Sequence, residues 1–365
     1  MRHPPQLFHN PFPLLPTVFR SGLLGLPFTL IGCGAYAESP PIALDRASFE
    51  TPEYHALKAL SIINASALYA RGGTGNGVTV ALIDSGLELD HPSFRGRIAD
   101  PGYDHVRKAP GTEDRLGHGT QMAGVLAANK DDQGIHGVAY EAQLIPMRFG
   151  DDNEPFFFDE EIAQSWRFAF DKGVRIFSNS WANSIPATEL TEARYNQVME
   201  ASLAQARVMV EQGAVLVFPT GNELKREPLA EPGLPVALPE LEKGWLAVVA
   251  LSNDGTAING KSNYCGVAHR WCIAVPGGDS GQGKGLMTTG KDGKFVETAG
   301  TSPATALVAG ALAALQSRYP EKSPQEIREL LLDSANRSGI YANSEAYGRG
   351  LLDLEAASRT EPKPI

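Results

Sequence analysis

No stretch of this 365-residue chain is apolar for long enough to cross a bilayer as a helix. Positive charge is in short supply. Lys and Arg number 32 against 42 Asp and Glu, for a net charge of -10. No basic cluster offsets that balance, so a nucleic-acid partner is not expected. Cysteine is nearly absent, with 3 in all, which excludes a small disulfide scaffold. There is no internal repeat, so solenoids and propellers are excluded. What remains is ordinary globular material. The chain is 42% hydrophobic and 20% charged, and long enough for one large domain or two modest ones. No second domain announces itself.

The ends carry their own signals. After Arg20 comes a short apolar run, Leu23 to Ile31, too short to span a membrane but suited to the core of a signal peptide. Two exits follow. Ala35-Tyr36-Ala37 fits ordinary signal peptidase, and Leu30-Ile31-Gly32-Cys33 resembles a bacterial lipobox, in which Cys33 would be lipidated. Residues 1–37 are therefore read as a signal peptide, 38–50 as a Pro- and Ser-rich tether, 51–358 as the folded domain and 359–365 as a tail. Cys265 and Cys272 form a short pair. Export favours a disulfide between them, and two buried thiols are the alternative. A metal site lacks the second half of its ligands. That pairing leaves Cys33 odd, which lipidation would explain.

Along the domain, apolar runs alternate with helical periodicity. Helical spacing runs from Thr51 to Ala70, from His118, over Ile162 to Phe170, from Glu192 to Gln212, after Ser302 and over Pro324 to Ser334. Between them, Val78 to Ile83 reads as a strand buried on both faces, and Leu144 to Met147, Val174 to Phe177, Ala214 to Phe218 and Trp245 to Leu251 read as further strands. Such alternation predicts a parallel sheet wrapped by helices on both sides.

Polar residues cluster at the ends of these elements, where open α/β sheets place their sites. Asp84 ends the first strand in Ile-Asp-Ser-Gly. His118 opens a helix in Gly-His-Gly-Thr. Ser302 opens another in Gly-Thr-Ser-Pro-Ala. An acid, a base and a nucleophile in the order Asp, His, Ser match the chain order of subtilisin rather than that of chymotrypsin or the α/β-hydrolases. Serine needs an imidazole to take its proton, and the imidazole needs a carboxylate to set its tautomer. A fourth group, Asn222 in Pro219-Thr220-Gly221-Asn222, follows a buried strand. A fixed amide there can donate to an oxyanion, with the Ser302 N–H at its helix start as partner.

With these motifs the chain resembles the subtilase family of serine proteases from about Thr51 to Leu354. Gly117-His118-Gly119-Thr120 with Gly137-Val138-Ala139 downstream, Thr220-Gly221-Asn222 and Gly300-Thr301-Ser302 carry the likeness. The resemblance implies an α/β, subtilisin-like three-layer sandwich with a mostly parallel central sheet. It implies Asp84, His118 and Ser302 as catalytic triad and Asn222 as oxyanion donor. Ser178-Asn179-Ser180-Trp181 looks like the strand that pairs with substrate backbone, so Ser180, Trp181 and Ala182 on one side, and Thr220 and Gly221 on the other, would flank the pocket. The protease passenger domains of Gram-negative autotransporters are similar, often with a like cysteine pair, but the chain ends without room for a membrane β-barrel. Some positions depart from the family pattern: Gln121, Ala182, Pro303 and Ala306. Proline in a first helical turn is tolerated, and a methyl at Ala182 would narrow the pocket.

The expectation is thus an exported serine endopeptidase acting on protein or peptide substrates. It would be monomeric, and held to a membrane only by a lipid on Cys33, at the surface of a Gram-negative bacterium if not freely secreted. Its chemistry needs no cofactor. Structural calcium is unassigned, with Asp131-Asp132 and Asp151-Asp152-Asn153 as candidate ligands against a reading as solvated loops. The alternative is a catalytically silent binding lipoprotein on the same fold. An esterase would want Gly-x-Ser-x-Gly around Ser302, which is absent.

Overall fold

The computed structural model describes residues 45–150 and 159–359. Cys33, the Ala35-Tyr36-Ala37 exit and Asp151-Asp152-Asn153 lie outside these residues.

The apolar runs form a sheet of eight strands. They are β1 (Thr79–Asp84), β2 (Tyr103–Asp104), β3 (Ala109–Pro110), β4 (Gln143–Arg148), β5 (Ile176–Asn179), β6 (Val215–Pro219), β7 (Trp245–Leu251) and β8 (Cys272–Pro276). Their order is β3-β2-β4-β1-β5-β6-β7-β8. Every pairing is parallel except that of β2 with β3. A separate antiparallel hairpin joins β9 (Leu286–Thr289) to β10 (Phe295–Thr298).

Five longer helices cover the sheet: α1 (His118–Ala127), α2 (Asp159–Asp171), α3 (Glu200–Glu211), α4 (Thr301–Arg318) and α5 (Pro324–Asp333). Strand side chains alternate between two cores. Val80 and Leu82 join Met122, Val125, Leu307 and Leu312 on one side. Ala81 and Ile83 join Trp166, Ala169, Leu203 and Val210 on the other. The result is helix, sheet and helix in three layers, with β1 central. Successive strands leave β1 for one side through β4 and for the other through β5, so its carboxyl end lies at a topological switch.

Three sequence expectations change. The helical stretch from Thr51 to Ala70 is three short helices, Pro52–Ala56, Ala59–Ile62 and Ala65–Tyr69. The chain turns at Leu57 (ψ 81°) and at Asn64, which is left-handed (φ 57°). The stretch from Glu192 to Gln212 breaks at buried Met199 (φ -138°, ψ 35°). There the Asp159 carboxylate accepts from Ala201 N at 2.7 Å and Ser202 N at 2.9 Å, supplying the acceptors a second helix start requires. Finally, the end of the presumed tether is not free. Arg46–Phe49 is a short 3-10 helix, and the Arg46 guanidinium bonds Glu50, Ser66 and Glu355. Cys265 and Cys272, both fully buried, are joined by a disulfide.

Candidate active site

The carboxyl ends of β1, β5 and β6 and the amino ends of α1 and α4 converge on one edge of the sheet. Asp84, the last residue of β1, is buried. Its Oδ1 lies 2.7 Å from His118 Nδ1 and accepts from Ser85 N at 2.7 Å. Nδ1 therefore donates, which leaves His118 Nε2 as the ring's basic nitrogen. The imidazole is a third exposed. Burial works against its charged form, but the Asp84 carboxylate, through charge and hydrogen bond, and Asp114 beyond it outweigh that effect. The His118 pKa is raised above the ordinary histidine value.

Gly119 explains how α1 reaches this place. A Cβ there would collide with the Gly86 carbonyl and lie 3.2 Å from Asp84 Oδ1. A second carboxylate, which sequence reasoning missed, sets the helix start. Buried Asp114 accepts from Gly117 N (2.7 Å), Thr120 N (2.7 Å), Thr120 Oγ1 (2.6 Å) and Ser85 Oγ (2.9 Å). Ser85 Oγ in turn accepts from Gly119 N at 2.9 Å. The available signal was a short acidic side chain ahead of Gly117 at a helix entry, the usual place for a cap.

Ser302 is the second residue of α4, among the amides that lack an intrahelical acceptor. Its hydroxyl donates to the Ser180 carbonyl at 3.2 Å, and Ser180 Oγ donates back to the Ser302 carbonyl at 3.1 Å. The acid–base half of the constellation is therefore in contact, whereas the serine hydroxyl is held by Ser180 rather than by His118. Asn222 is exposed after β6, and its Oδ1 accepts from Thr301 N (3.0 Å) and Thr301 Oγ1 (3.1 Å). That use of the oxygen leaves Nδ2 as a free donor. Gly300 (φ 122°) permits the approach, since a Cβ there would sit 3.0 Å from Asn222 Oδ1.

The proposed pocket residues separate. Ser180 touches Ser302, and Ala182 is partly exposed. At Trp181 the side chain turns into the core. Its side chain is 8% exposed, donates from Nε1 to the Ile83 carbonyl at 3.1 Å and packs on Phe149, Trp166 and Phe218. An indole is too large and apolar to stay out of a neighbouring core, so the expectation of substrate pairing at this position concerns its backbone alone. Thr220 is likewise fully buried, with Oγ1 donating to the Asn263 carbonyl at 2.9 Å. Gly221 has φ 115°, and a Cβ there would lie 2.6 Å from Asn263 Nδ2. One more missed residue, fully buried Glu231, accepts from Asn183 N at 2.8 Å and from the Asn183 side-chain amide, pinning the turn after Ala182. Burial raises the Glu231 pKa despite those bonds.

Around Asp131-Asp132, the two backbone amides donate to buried Glu53 (3.3 and 3.0 Å). Among the described residues no group of three or more His, Cys, Asp or Glu gathers closely enough to hold a metal.

Known proteins resemble this chain. The sequence profile described as the subtilase family (Peptidase S8) matches residues 75–350. An extracellular serine protease of Serratia marcescens is 25% identical over 370 aligned residues, covering 85% of this chain but 34% of that protein. The chain thus spans about a third of that relative's length. Subtilisin BL of Lederbergia lenta is 29% identical over 301 residues, covering 82% of this chain and 97% of that one. Among solved structures, the epidermin leader peptide processing serine protease of Staphylococcus aureus superposes with a TM-score of 0.70 at 20% identity. It covers 88% of this chain and 84% of its own.

Proposed function

Since the chain belongs to the subtilase family, we propose that it is a serine endopeptidase working through Asp84, His118 and Ser302, with Asn222 as oxyanion donor. One observation carries the reading. Asp84 and His118, 34 positions apart, meet at 2.7 Å on the sheet edge where Ser302 and Asn222 also stand. In the reactive arrangement the Ser302 hydroxyl turns from the Ser180 carbonyl to His118 Nε2, and its oxygen attacks the peptide carbonyl. His118 takes the proton and passes it to the leaving amine. Water then cleaves the acyl-enzyme by the reverse route. The charge that forms on the carbonyl oxygen is met by Asn222 Nδ2 and the Ser302 N–H, the latter aided by the positive end of α4. Substrate backbone would lie along Ser180 to Ala182, with Gly221 opposite.

Two details extend the reading. The relative from Serratia is extracellular by name and the chain holds a disulfide, so we place the protein outside the cytoplasm. Lipidation of Cys33 remains part of this proposal. Mass spectrometry of the mature N-terminus decides it, since an unmodified start at Glu38 would refute the anchor.

The test of the activity is labelling by a fluorophosphonate serine probe beside casein cleavage. Wild type is expected to show both and Ser302→Ala neither. Undiminished proteolysis by purified Ser302→Ala would sink the assignment. Folded wild type that never labels would instead favour the silent binding module.

A further inference from the structure

Among the described residues, the Asn222 side chain makes its hydrogen bonds through Oδ1, to Thr301. Its place in space therefore depends on what holds the loop Thr220 to Lys225. Backbone bonds contribute, Leu224 N to the Lys261 carbonyl at 2.8 Å and Tyr264 N to the Lys225 carbonyl at 2.9 Å, and one side chain outside the loop adds four more. Asn263 is fully buried, and its amide uses all four of its hydrogen-bonding positions. Oδ1 accepts from Glu223 N and Lys225 N, each at 3.0 Å, on the far side of Asn222. Nδ2 donates to the Thr220 carbonyl at 3.2 Å on the near side, and to Glu223 Oε2 at 2.8 Å. The Asn263 backbone N–H adds a bond to the Gly221 carbonyl at 2.8 Å. The loop is thus gripped immediately before and immediately after Asn222.

Asn263 is itself held. Its carbonyl accepts from Thr220 Oγ1 and Ser262 Oγ, each at 2.9 Å. Two residues later Cys265 is tied by the disulfide to Cys272, the first residue of β8. Position matters here because an oxyanion donor acts only if it is already aimed where charge will develop. A displacement near 1 Å can cost roughly a hundredfold in rate.

We propose that Asn263 is a positioning residue for the oxyanion donor, setting the loop so that Asn222 Nδ2 meets the transition state. The inference rests on the reading of Asn222 above. An amide at this position both donates and accepts, as these bonds require. Aspartate keeps the acceptor but loses the donors and sets a carboxylate against Glu223, and serine is too short to reach both sides.

A double-mutant cycle tests it, with kcat expressed per active site counted by end-point fluorophosphonate labelling, so that misfolded protein does not enter. Asn222→Ala comes first and should lower kcat by roughly 10²–10³-fold with little change in KM. If it does not, the oxyanion reading itself fails. Given that loss, Asn263→Ala should lower kcat about 10- to 100-fold with KM nearly unchanged, yet cost less than about 3-fold in the Asn222→Ala background. A purely structural asparagine would lower the labelled fraction and the melting temperature but leave kcat per site intact. That result would overturn the proposal, as would equal losses in both backgrounds. If Asn263→Ala yields no folded enzyme, Asn263→Asp keeps the size. Its kcat should fall, and should recover on adding Glu223→Gln, whose new amide can donate to the new carboxylate. No fall, or no recovery, would overturn the proposal equally.

Discussion

The two sides of the sheet are built from different materials. On the side of α1 and α4 the packing is by small residues. Helix α4 is buried continuously from Pro303 to Leu315, with alanine at six of those positions and glycine at Gly310. Gly124 in α1 lets the β9 hairpin approach so closely that a Cβ there would collide with Thr288 and Thr289. The opposite side is filled by large rings. Phe218 stacks on Trp245 with centroids 4.9 Å apart, and Trp166 and Trp181 stack at 6.2 Å. Each indole N–H there finds a partner: Trp166 on Asn179 (2.8 Å), Trp245 on the Glu231 carbonyl (2.7 Å) and Trp271 on the Pro232 carbonyl (2.8 Å). The small-residue side carries the helix starts that hold His118 and Ser302. Close backbone approach fixes those starts, and small side chains allow it. The aromatic side supplies bulk on the opposite face of the sheet. Substitutions at the close backbone contacts of the first side should therefore register in activity, and those among large rings, on either side, in stability.

The largest expected effect is on the aromatic side. Trp166→Ala empties a site that is 1% exposed and leaves Asn179 Oδ1 without its donor. It should destabilise by about 3–5 kcal/mol, read as a lower urea midpoint. The surviving folded enzyme should keep kcat per active site. A large loss of kcat at unchanged stability would break the comparison.

Next comes an aromatic island on the other side. His136 is fully buried among Tyr54, Tyr69 and Tyr140. Burial lowers its pKa to about 4. A depressed folded pKa means that the unfolded chain takes up the proton first as pH falls. The stabilisation is complete above roughly pH 6.5 and is lost progressively as pH falls toward about 4. The loss is of order 3 kcal/mol from this group. Urea midpoints against pH should show it, and His136→Gln should flatten that limb. An unchanged acid limb in the variant would show that other groups dominate.

Smaller is the effect of adding one methyl on the side of α1. Gly124→Ala gains about 1 kcal/mol of helix propensity but forces α1 away from the hairpin, so a net loss of about 1–2 kcal/mol is expected. The sharper readout is activity, because α1 begins with His118. Full kcat in a destabilised Gly124→Ala enzyme would contradict the division between the two sides.

The smallest effect is on pH dependence. In the proposed mechanism His118 must be neutral to accept the serine proton, so its raised pKa should place the acid limb of kcat/KM above the ordinary histidine value. Asp114→Asn removes one of the charges that raise it, so the limb should move to lower pH. An unmoved limb would assign the shift to Asp84 alone.

Much of this was legible in advance where information is local. Buried strands show as apolar runs because both of their faces are covered, and Asp84, His118, Asn222 and Ser302 stood out because each ends or begins an element. The β9–β10 hairpin was not read, since its strands are short and lie among glycines, and neither was the five-residue strand β8. The break at Met199 was invisible because helical periodicity runs through it, and the group that resolves it, Asp159, lies 42 residues from Ala201. The burial of the Trp181 side chain was hidden for the same reason. A sequence shows that an indole is present but not which side of the sheet has room for it.

Membership of the family and the three-layer architecture follow from the order of the chain alone. Strand, helix and motif succeed one another along it, and parallel strands joined by helices have few ways to pack. The grip of Asn263 on the Asn222 loop, the cap that Asp114 places on the helix of His118, the clamp of Glu231 on Asn183 and the hold of Ser180 on Ser302 were decided only in three dimensions. Each joins a short polar side chain to backbone or hydroxyl groups whose closeness depends on how separate segments pack. Hydrogen bonds reach about 3 Å and depend on direction, so no spacing in the sequence can stand in for that packing.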